Sequence, residues 1–400
     1  MDISNLFKLD SLARKSVTDY QRKRLIYKDI TESLKNDNRF ISLIGPRGVG
    51  KTILLRQLAS EVNNSFYISM DSFEGESLFD VVKGLNEKNK ISLFLIDEIH
   101  FLNDYQKEIK NIYDFLNVKI VFTSSVSLSL YESSYDLSRR VKIFNIYPFS
   151  FREYIYFSDG VLLDPLSISD IYNGKYTPDY LKYSYLFKEY MVGGCFPFSL
   201  DNLNVIDIIK TTLKTIISRD IPAVKGLRVD ELAIIEKIIR FISISSVDGI
   251  SFSSISNNLK ITKYKAEQYV DLLNRAFVLN TILPYGTNVL REPKILMYLP
   301  YRLIFNDYNN SVGALREDFV AQCLKTAGYN FYYLKSSKGE KTPDYLIGND
   351  DMVVEVGGKG KGRSQFKSFN KHKKMILSDN INITEKKNER VPLFMLGYIS

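Results

Sequence analysis

From Arg39 onward the apolar positions come in short, nearly unbroken runs: RFISLIG, SFYISM, ISLFLIDE, KIVFTSS and VKIFNIY. Such runs predict strands buried on both faces, because a half-solvated strand would alternate apolar and polar positions. Helical stretches such as KTILLRQLASEV lie between most of them. Buried strands separated by helices predict an α/β unit with a parallel sheet over residues 39–149. The preceding residues 1–38 read as a charged helical segment.

The pattern then changes. Residues 150–226 read as mostly helical, a lid-like segment, with a loop around NGKYTPDY. Over 227–290 the amphipathic VDELAIIEKIIRFIS, the Ser-capped SFSSISNNL and the longer KYKAEQYVDLLNRA are followed by FVLNTILPY, read as a strand pair or wing. That order predicts a winged helix-turn-helix. Residues 291–400 mix a helix (LREDFVAQCLKTAG), a strand (NFYYLK) and the hairpin TPDYLIGNDDMVVEVGGKGK.

Composition narrows the chemistry. The two cysteines and two histidines in 400 residues exclude a Cys-based zinc site and His-rich metal chemistry. Any metal must take oxygen ligands, which points to magnesium or manganese. No apolar run approaches the roughly 20 residues of a bilayer span, and MDISNLFKLDSLARKS carries acids and no apolar core of a signal peptide. The expectation is a cytoplasmic protein with no membrane partner. Net charge is +8, and the stretch from Gly357 to Lys374 contains no acid. A clustered positive charge favours a polyanion such as DNA.

GPRGVGKT, Gly45 to Thr52, carries the clearest chemistry. It follows a buried run and opens a helix, as a phosphate-binding loop does. The backbone of Gly45, Pro46, Arg47, Gly48, Val49 and Gly50 would turn its N–H groups toward phosphates, assisted by the helix N-terminus. Lys51 would reach the β- and γ-phosphates of ATP, and Thr52 would hold Mg2+. ISLFLIDE ends in Asp97 and Glu98 at the strand edge where open α/β sheets bind ligands. Asp97 is expected to support the metal and Glu98 to act as general base on water. Ser124 or Ser125, at the end of KIVFTSS, could contact the γ-phosphate or the attacking water, with Ser125 the candidate taken. His100 reads as packing or surface. Arg139 and Arg140 precede the fifth run, where a ring-forming ATPase could deliver arginine to a neighbour's γ-phosphate.

These stretches, with SRRVKIFNIYPFSFREY, YMVGGCFP, IISRDI, VGALREDFV and PDYLI…VVEVGGK, resemble prokaryotic AAA+-type ATPases. In that family the C-terminal half has winged-helix and restriction-endonuclease-like character (the AAA_14/DUF4143 arrangement). The resemblance runs from about residue 20 to 370. It implies that Arg140 takes the arginine role, with Arg139 where the family has glycine. It also implies that Gly194 and Pro197 form the lid turn that touches the nucleotide base.

The same resemblance maps nuclease-type carboxylates onto Glu317, Asp344 and Glu355, as ligands for Mg2+ or Mn2+. A lysine two residues beyond Glu355 would complete that set, but residue 357 is glycine. Lys359, two positions further, could replace it only through a local bulge, so weak or no cleavage is expected. DNA contacts are expected from Lys260, Lys263 and Lys265 at the start of the third helix of the winged region. A second set is expected from Lys359, Lys361 and Arg363, all on phosphates and without sequence preference. The function so implied is a magnesium-dependent ATPase, acting as a hexamer or other ring, that couples hydrolysis to DNA binding or remodelling. The alternatives are a nucleotide-gated switch and an ATP-licensed nuclease.

Overall fold

The computed structural model describes residues 3–73, 77–125, 137–201, 204–286, 292–334, 342–348, 351–357, 363–366, 369, 372–379 and 390–399. The chain forms two compact units. One comprises Met1–Tyr147 with Thr215–Leu227; the other comprises Pro148–Lys214 with Arg228–Ser400. The stretch read from sequence as a helical lid is therefore divided between them.

The first unit is built on the five apolar runs. They form β1 (Phe40–Ile44), β2 (Ser65–Ser69), β3 (Leu93–Asp97), β4 (Lys119–Ser124) and β5 (Val141–Asn145), in the order β2-β3-β4-β1-β5. Every pairing is parallel. Every residue of β1 and β3 is buried, which is why these runs do not alternate. Around the sheet lie α1 (Ile3–Lys15), α2 (Tyr27–Asn36), α3 (Lys51–Glu61), α4 (Leu78–Asn89) and α5 (Tyr105–Phe115). The core cluster runs from Leu6 through Phe66, Phe94 and Phe122 to Ile109 and Ile112. The N-terminal segment is part of this unit. Arg14 donates to the carbonyls of Ala59 and Ser65, and Gln57 donates to those of Tyr20 and Arg22.

In the second unit, α6 (Phe151–Asp159) packs its first residue against Phe394 and Tyr398 near the C-terminus. Helix α7 (Val205–Thr215) leads out of this unit and α8 (Ile221–Lys225) lies in the first. The next elements are α9 (Val229–Ile244), α10 (Phe252–Leu259) and α11 (Lys263–Arg275), followed by the antiparallel pair β6 (Leu279–Ile282) and β7 (Lys294–Met297). FVLNTILPY thus supplies one strand and not two. Pro284 has no N–H to donate to a ladder, and the partner strand arrives ten or so residues later.

Helix α12 (Tyr308–Thr326) is longer than its sequence signal, because Asp307 caps it by accepting the Asn310 N–H at 2.8 Å. The last sheet contains β8 (Phe331–Tyr333), β9 (Tyr345–Ile347), β10 (Met352–Gly357), β11 (Lys373–Ser378) and β12 (Arg390–Pro392), ordered β12-β11-β10-β9-β8. β8, β9 and β10 pair antiparallel, while β11 runs parallel to β10 and β12. A buried ion pair ties the unit together. Arg302 donates to Asp318 at 2.7 and 3.1 Å and to the Ile242 carbonyl at 2.9 Å, and Asp318 also accepts the Met297 N–H.

Candidate phosphate-binding site

The loop between β1 and α3 is shaped by its glycines. Gly48 and Gly50 hold φ near +90°, a region other residues rarely enter. A Cβ on Gly45 would run into the Ile146 carbonyl, so the chain after β5 closes directly against the loop. Arg24 braces the loop from outside, donating to the Val49 carbonyl at 2.6 Å and the Tyr147 carbonyl at 2.8 Å. Lys51, buried at the start of α3, donates to the carbonyls of Gly45 and Pro46 at 2.7 and 3.0 Å. Burial lowers its pKa, and the carboxylates of Glu98 and Asp97 oppose that shift. Thr52 follows it in the first turn of the same helix.

The end of β3 delivers the acids. Asp97 is buried and accepts hydrogen bonds from Thr123 at 2.6 Å and Tyr67 at 2.8 Å. Two neutral donors hold it without neutralising its charge, as a metal-supporting carboxylate requires. Glu98 sits at φ +52°, and its N–H donates to the Thr123 hydroxyl at 2.8 Å. The strained backbone turns its side chain away from the strand line. Burial raises the Glu98 pKa, countered in part by Lys51. Its Oε2 is buried and lacks an aligned hydrogen-bond partner among the described residues, with His100 Nδ1 at 3.3 Å.

His100, read from sequence as packing or surface, is buried within this group. Its ring nitrogens lie 3.5 Å from Ser124 Oγ and 3.4 Å from Ser125 Oγ. Burial pushes its pKa down to about 4, so the ring is neutral at ordinary pH. Ser125 donates to Asp220 at 3.1 Å, and Arg47 of the loop meets the same carboxylate through two bonds of 2.9 and 3.1 Å. Asp220 is fully buried. Sequence reasoning passed over it, although IISRDI was among the matching stretches.

The donor set fits ATP with magnesium. The loop offers backbone N–H groups, Lys51 a cation, Thr52 and Asp97 oxygen ligands, and Glu98 an unmatched carboxylate oxygen where water could be polarised. Arg140 lies elsewhere. It precedes β5, pairs with Asp114 at 2.8 Å and stands beside the Tyr113 ring, at the sheet edge opposite the loop. Gly194 and Pro197 lie in the second unit, where a Cβ on Gly194 would crowd the Tyr154 ring and Pro197 opens a short turn.

The remaining candidates are scattered through the second unit. Lys260 ends α10 in a left-handed conformation, while Lys263 and Lys265 occupy the first turn of α11. Lys263 is ion-paired with Glu292. Lys359 and Lys361 lie outside the described residues, as does the side chain of Arg363, whose backbone opens a short turn.

Glu317 on α12 accepts from Tyr345 at 3.2 Å and is ion-paired with Lys294 of β7. Burial alone would lower the Lys294 pKa, but Glu317 and Asp344 outweigh it and keep the ammonium charged. Asp344 accepts the Val356 N–H at 2.7 Å, and Glu355 is buried on β10. Lys294 thus brings a cation to Glu317 from a strand some 60 residues before Gly357. Among the described residues no three His, Cys, Asp or Glu side chains group as a metal set. The carboxylates expected to hold Mg2+ or Mn2+ have partners within the chain: Glu317 meets Lys294 and Tyr345, and Asp344 accepts the Val356 N–H, while Glu355 is buried on β10.

The match to an AAA-domain family model agrees with this geometry. The family model described as an AAA domain matches residues 37–155, and a domain of unknown function (DUF8612) matches 184–298. The uncharacterized protein MJ1637 of Methanocaldococcus jannaschii is 30% identical over 415 aligned positions, covering 91% of this chain and 86% of that one. An uncharacterized protein of Haemophilus influenzae is 28% identical over 271 positions, covering 60% of this chain and 62% of its own length. Among solved structures, the Thermotoga maritima RuvB Holliday junction branch migration motor aligns at 18% identity over 70% of this chain and 89% of its own, with a TM-score of only 0.28. The chain belongs to the family of MJ1637, and its first unit carries an AAA-type P-loop domain.

Proposed function

We propose that the protein is a magnesium-dependent ATPase that couples hydrolysis to work on DNA. The observation that carries the hydrolytic part is Lys51, buried at the end of the loop with the Glu98 and Asp97 carboxylates acting on it and Thr52 beside it in the first turn of α3. Lys51 neutralises the β- and γ-phosphates, and Glu98 takes the proton from the attacking water. Its raised pKa makes it a stronger base than an exposed carboxylate. Ser125 and the neutral His100 orient the γ-phosphate side of the site. Thr52 and Asp97 would hold Mg2+, which would supply positive charge against the charge developing on the phosphates. The Glu98→Gln protein tests this reading directly. It should bind ATP as tightly as the wild type and retain it uncleaved, with turnover reduced by about 10² or more. Turnover at the wild-type rate would remove Glu98 from the base role.

The DNA half of the reading rests on α9–α11 with the β6/β7 pair, an order compatible with a winged helix-turn-helix, and on the lysines at the start of α11. Self-association into a ring is supported by the position of Arg140, which meets Asp114 at the start of β5 and lies away from its own phosphate loop. A nucleotide-gated switch is the second reading, favoured by the pairing of loop residue Arg47 with Asp220. Weak or absent DNA cleavage is the expectation, since residue 357 is glycine and not lysine.

A further inference from the structure

The phosphate site contains one carboxylate with no part in the hydrolytic chemistry. Asp220 is fully buried, faces the loop through Arg47 and faces the end of β4 through Ser125. It comes from a short piece of chain that belongs to the first unit while its flanks on both sides, up to Lys214 and from Arg228, belong to the second. The piece is helical as far as Lys225: α7 runs on without a break into the wider turn Ile216–Asp220, and α8 follows. Its neighbour Arg219 stacks 4.5 Å over the Phe101 ring, beside His100. The Arg219 side chain is thus turned onto the segment that follows Asp97 and Glu98, and that of Asp220 onto the loop and the end of β4.

Arg47 is the third residue of the phosphate loop. Its guanidinium meets the Asp220 carboxylate edge-on, through Nε and one Nη. A planar fork of this kind suits carboxylate and phosphate equally. A γ-phosphate in the loop would therefore compete with Asp220 for one arginine. It would also place several negative charges beside Asp97, Glu98 and Asp220, a repulsion that weakens with distance.

We propose that Asp220 reports the nucleotide state of the site: Arg47 leaves Asp220 for the γ-phosphate of ATP, and the freed 216–225 segment carries that change along the chain into α7 and α9. The inference rests on the phosphate-site reading above and adds its regulation. The device has two discrete states, with Arg47 on Asp220 or on phosphate, and the ligand biases them by its different affinity for each. ADP lacks the γ-phosphate and leaves the latch closed. The element that moves is the covalent link between the two stretches of the second unit, so the signal has a defined route out of the ATPase unit.

Hydrogen exchange on the full chain tests this, with nucleotide binding measured on the same samples by a fluorescent ATP analogue. In Glu98→Gln protein with Mg2+, amides of 216–225 should exchange at least threefold faster with ATP than with ADP. ATP bound with no difference from ADP would overturn the latch. Asp220→Asn, in the same background, should bind ATP severalfold more tightly and exchange this segment equally with either nucleotide. Weaker ATP binding in Asp220→Asn would make Asp220 a group that positions Arg47 for catalysis and would also overturn the latch. The first comparison needs no change at position 220, so it decides the matter even if that variant does not fold. Failure of the protein to bind any nucleotide would sink the phosphate-site reading itself, and the latch with it.

Discussion

At the scale of single residues, the site is set by how Glu98 and His100 are buried. Both carry shifts away from their charged forms: Glu98 upward, His100 down to about 4. Glu98 must be ionised to accept a proton, so a raised pKa moves the acid limb of the rate profile upward. Turnover should therefore fall as pH drops through a value above the ordinary glutamate range near 4.3, while His100 stays neutral and adds no second limb. A kcat profile from pH 4.5 to 8 checks this; an acid limb at the pKa of an exposed glutamate would contradict the burial argument. Lys51→Ala should abolish binding or hydrolysis, since Lys51 is the cation at the loop.

Part of this site was legible in the sequence and part was not. Gly45–Thr52 and Asp97–Glu98 announce themselves because each is a local pattern, glycines before a helix and acids after an apolar run. Asp220 lies some 170 residues from Arg47, and nothing in a local window tells a carboxylate that will meet a distant arginine from one on a helix surface. The partners of His100 were hidden for the same reason: Ser124, Ser125 and Glu98 arrive beside it from different strand ends. Lys294 could not be found by spacing from Glu355, because it reaches Glu317 from another strand altogether.

At the scale of elements, the second unit depends on a buried ion pair. Arg302 and Asp318 are both essentially inaccessible, and between them they fasten α9, β7 and α12. Removing one partner strands the other charge in the interior. Arg302→Met should lower stability by about 3–5 kcal/mol in urea unfolding of this unit. Arg302→Met with Asp318→Leu should recover most of that loss. A single substitution costing under about 1 kcal/mol would show that water reaches the pair. The elements of the first unit were readable because their strands are continuous apolar runs. Those of the second were less so: β7 and β12 are short, and α12 starts at a cap seven residues ahead of the apolar pattern that betrayed it.

At the scale of the whole molecule, the question is what the ATPase drives. If active sites form between subunits, Arg140→Ala should bind ATP normally and hydrolyse it about 10³-fold more slowly. Mixing it with Lys51→Ala protein should restore part of the rate, since one subunit type supplies the loop and the other the arginine. A strictly monomeric particle with no rescue would favour the switch. Contacts to phosphates through Lys260, Lys263 and Lys265 predict DNA affinity that falls steeply with salt and differs little between sequences. The measurement that bears most directly on the central claim is the ATPase rate of the full chain alone and with single-stranded, duplex and branched DNA at low and moderate salt. The account predicts that at least one form of DNA raises kcat severalfold and that the gain fades as salt rises. A rate indifferent to every DNA, in protein that binds and hydrolyses ATP, would contradict it.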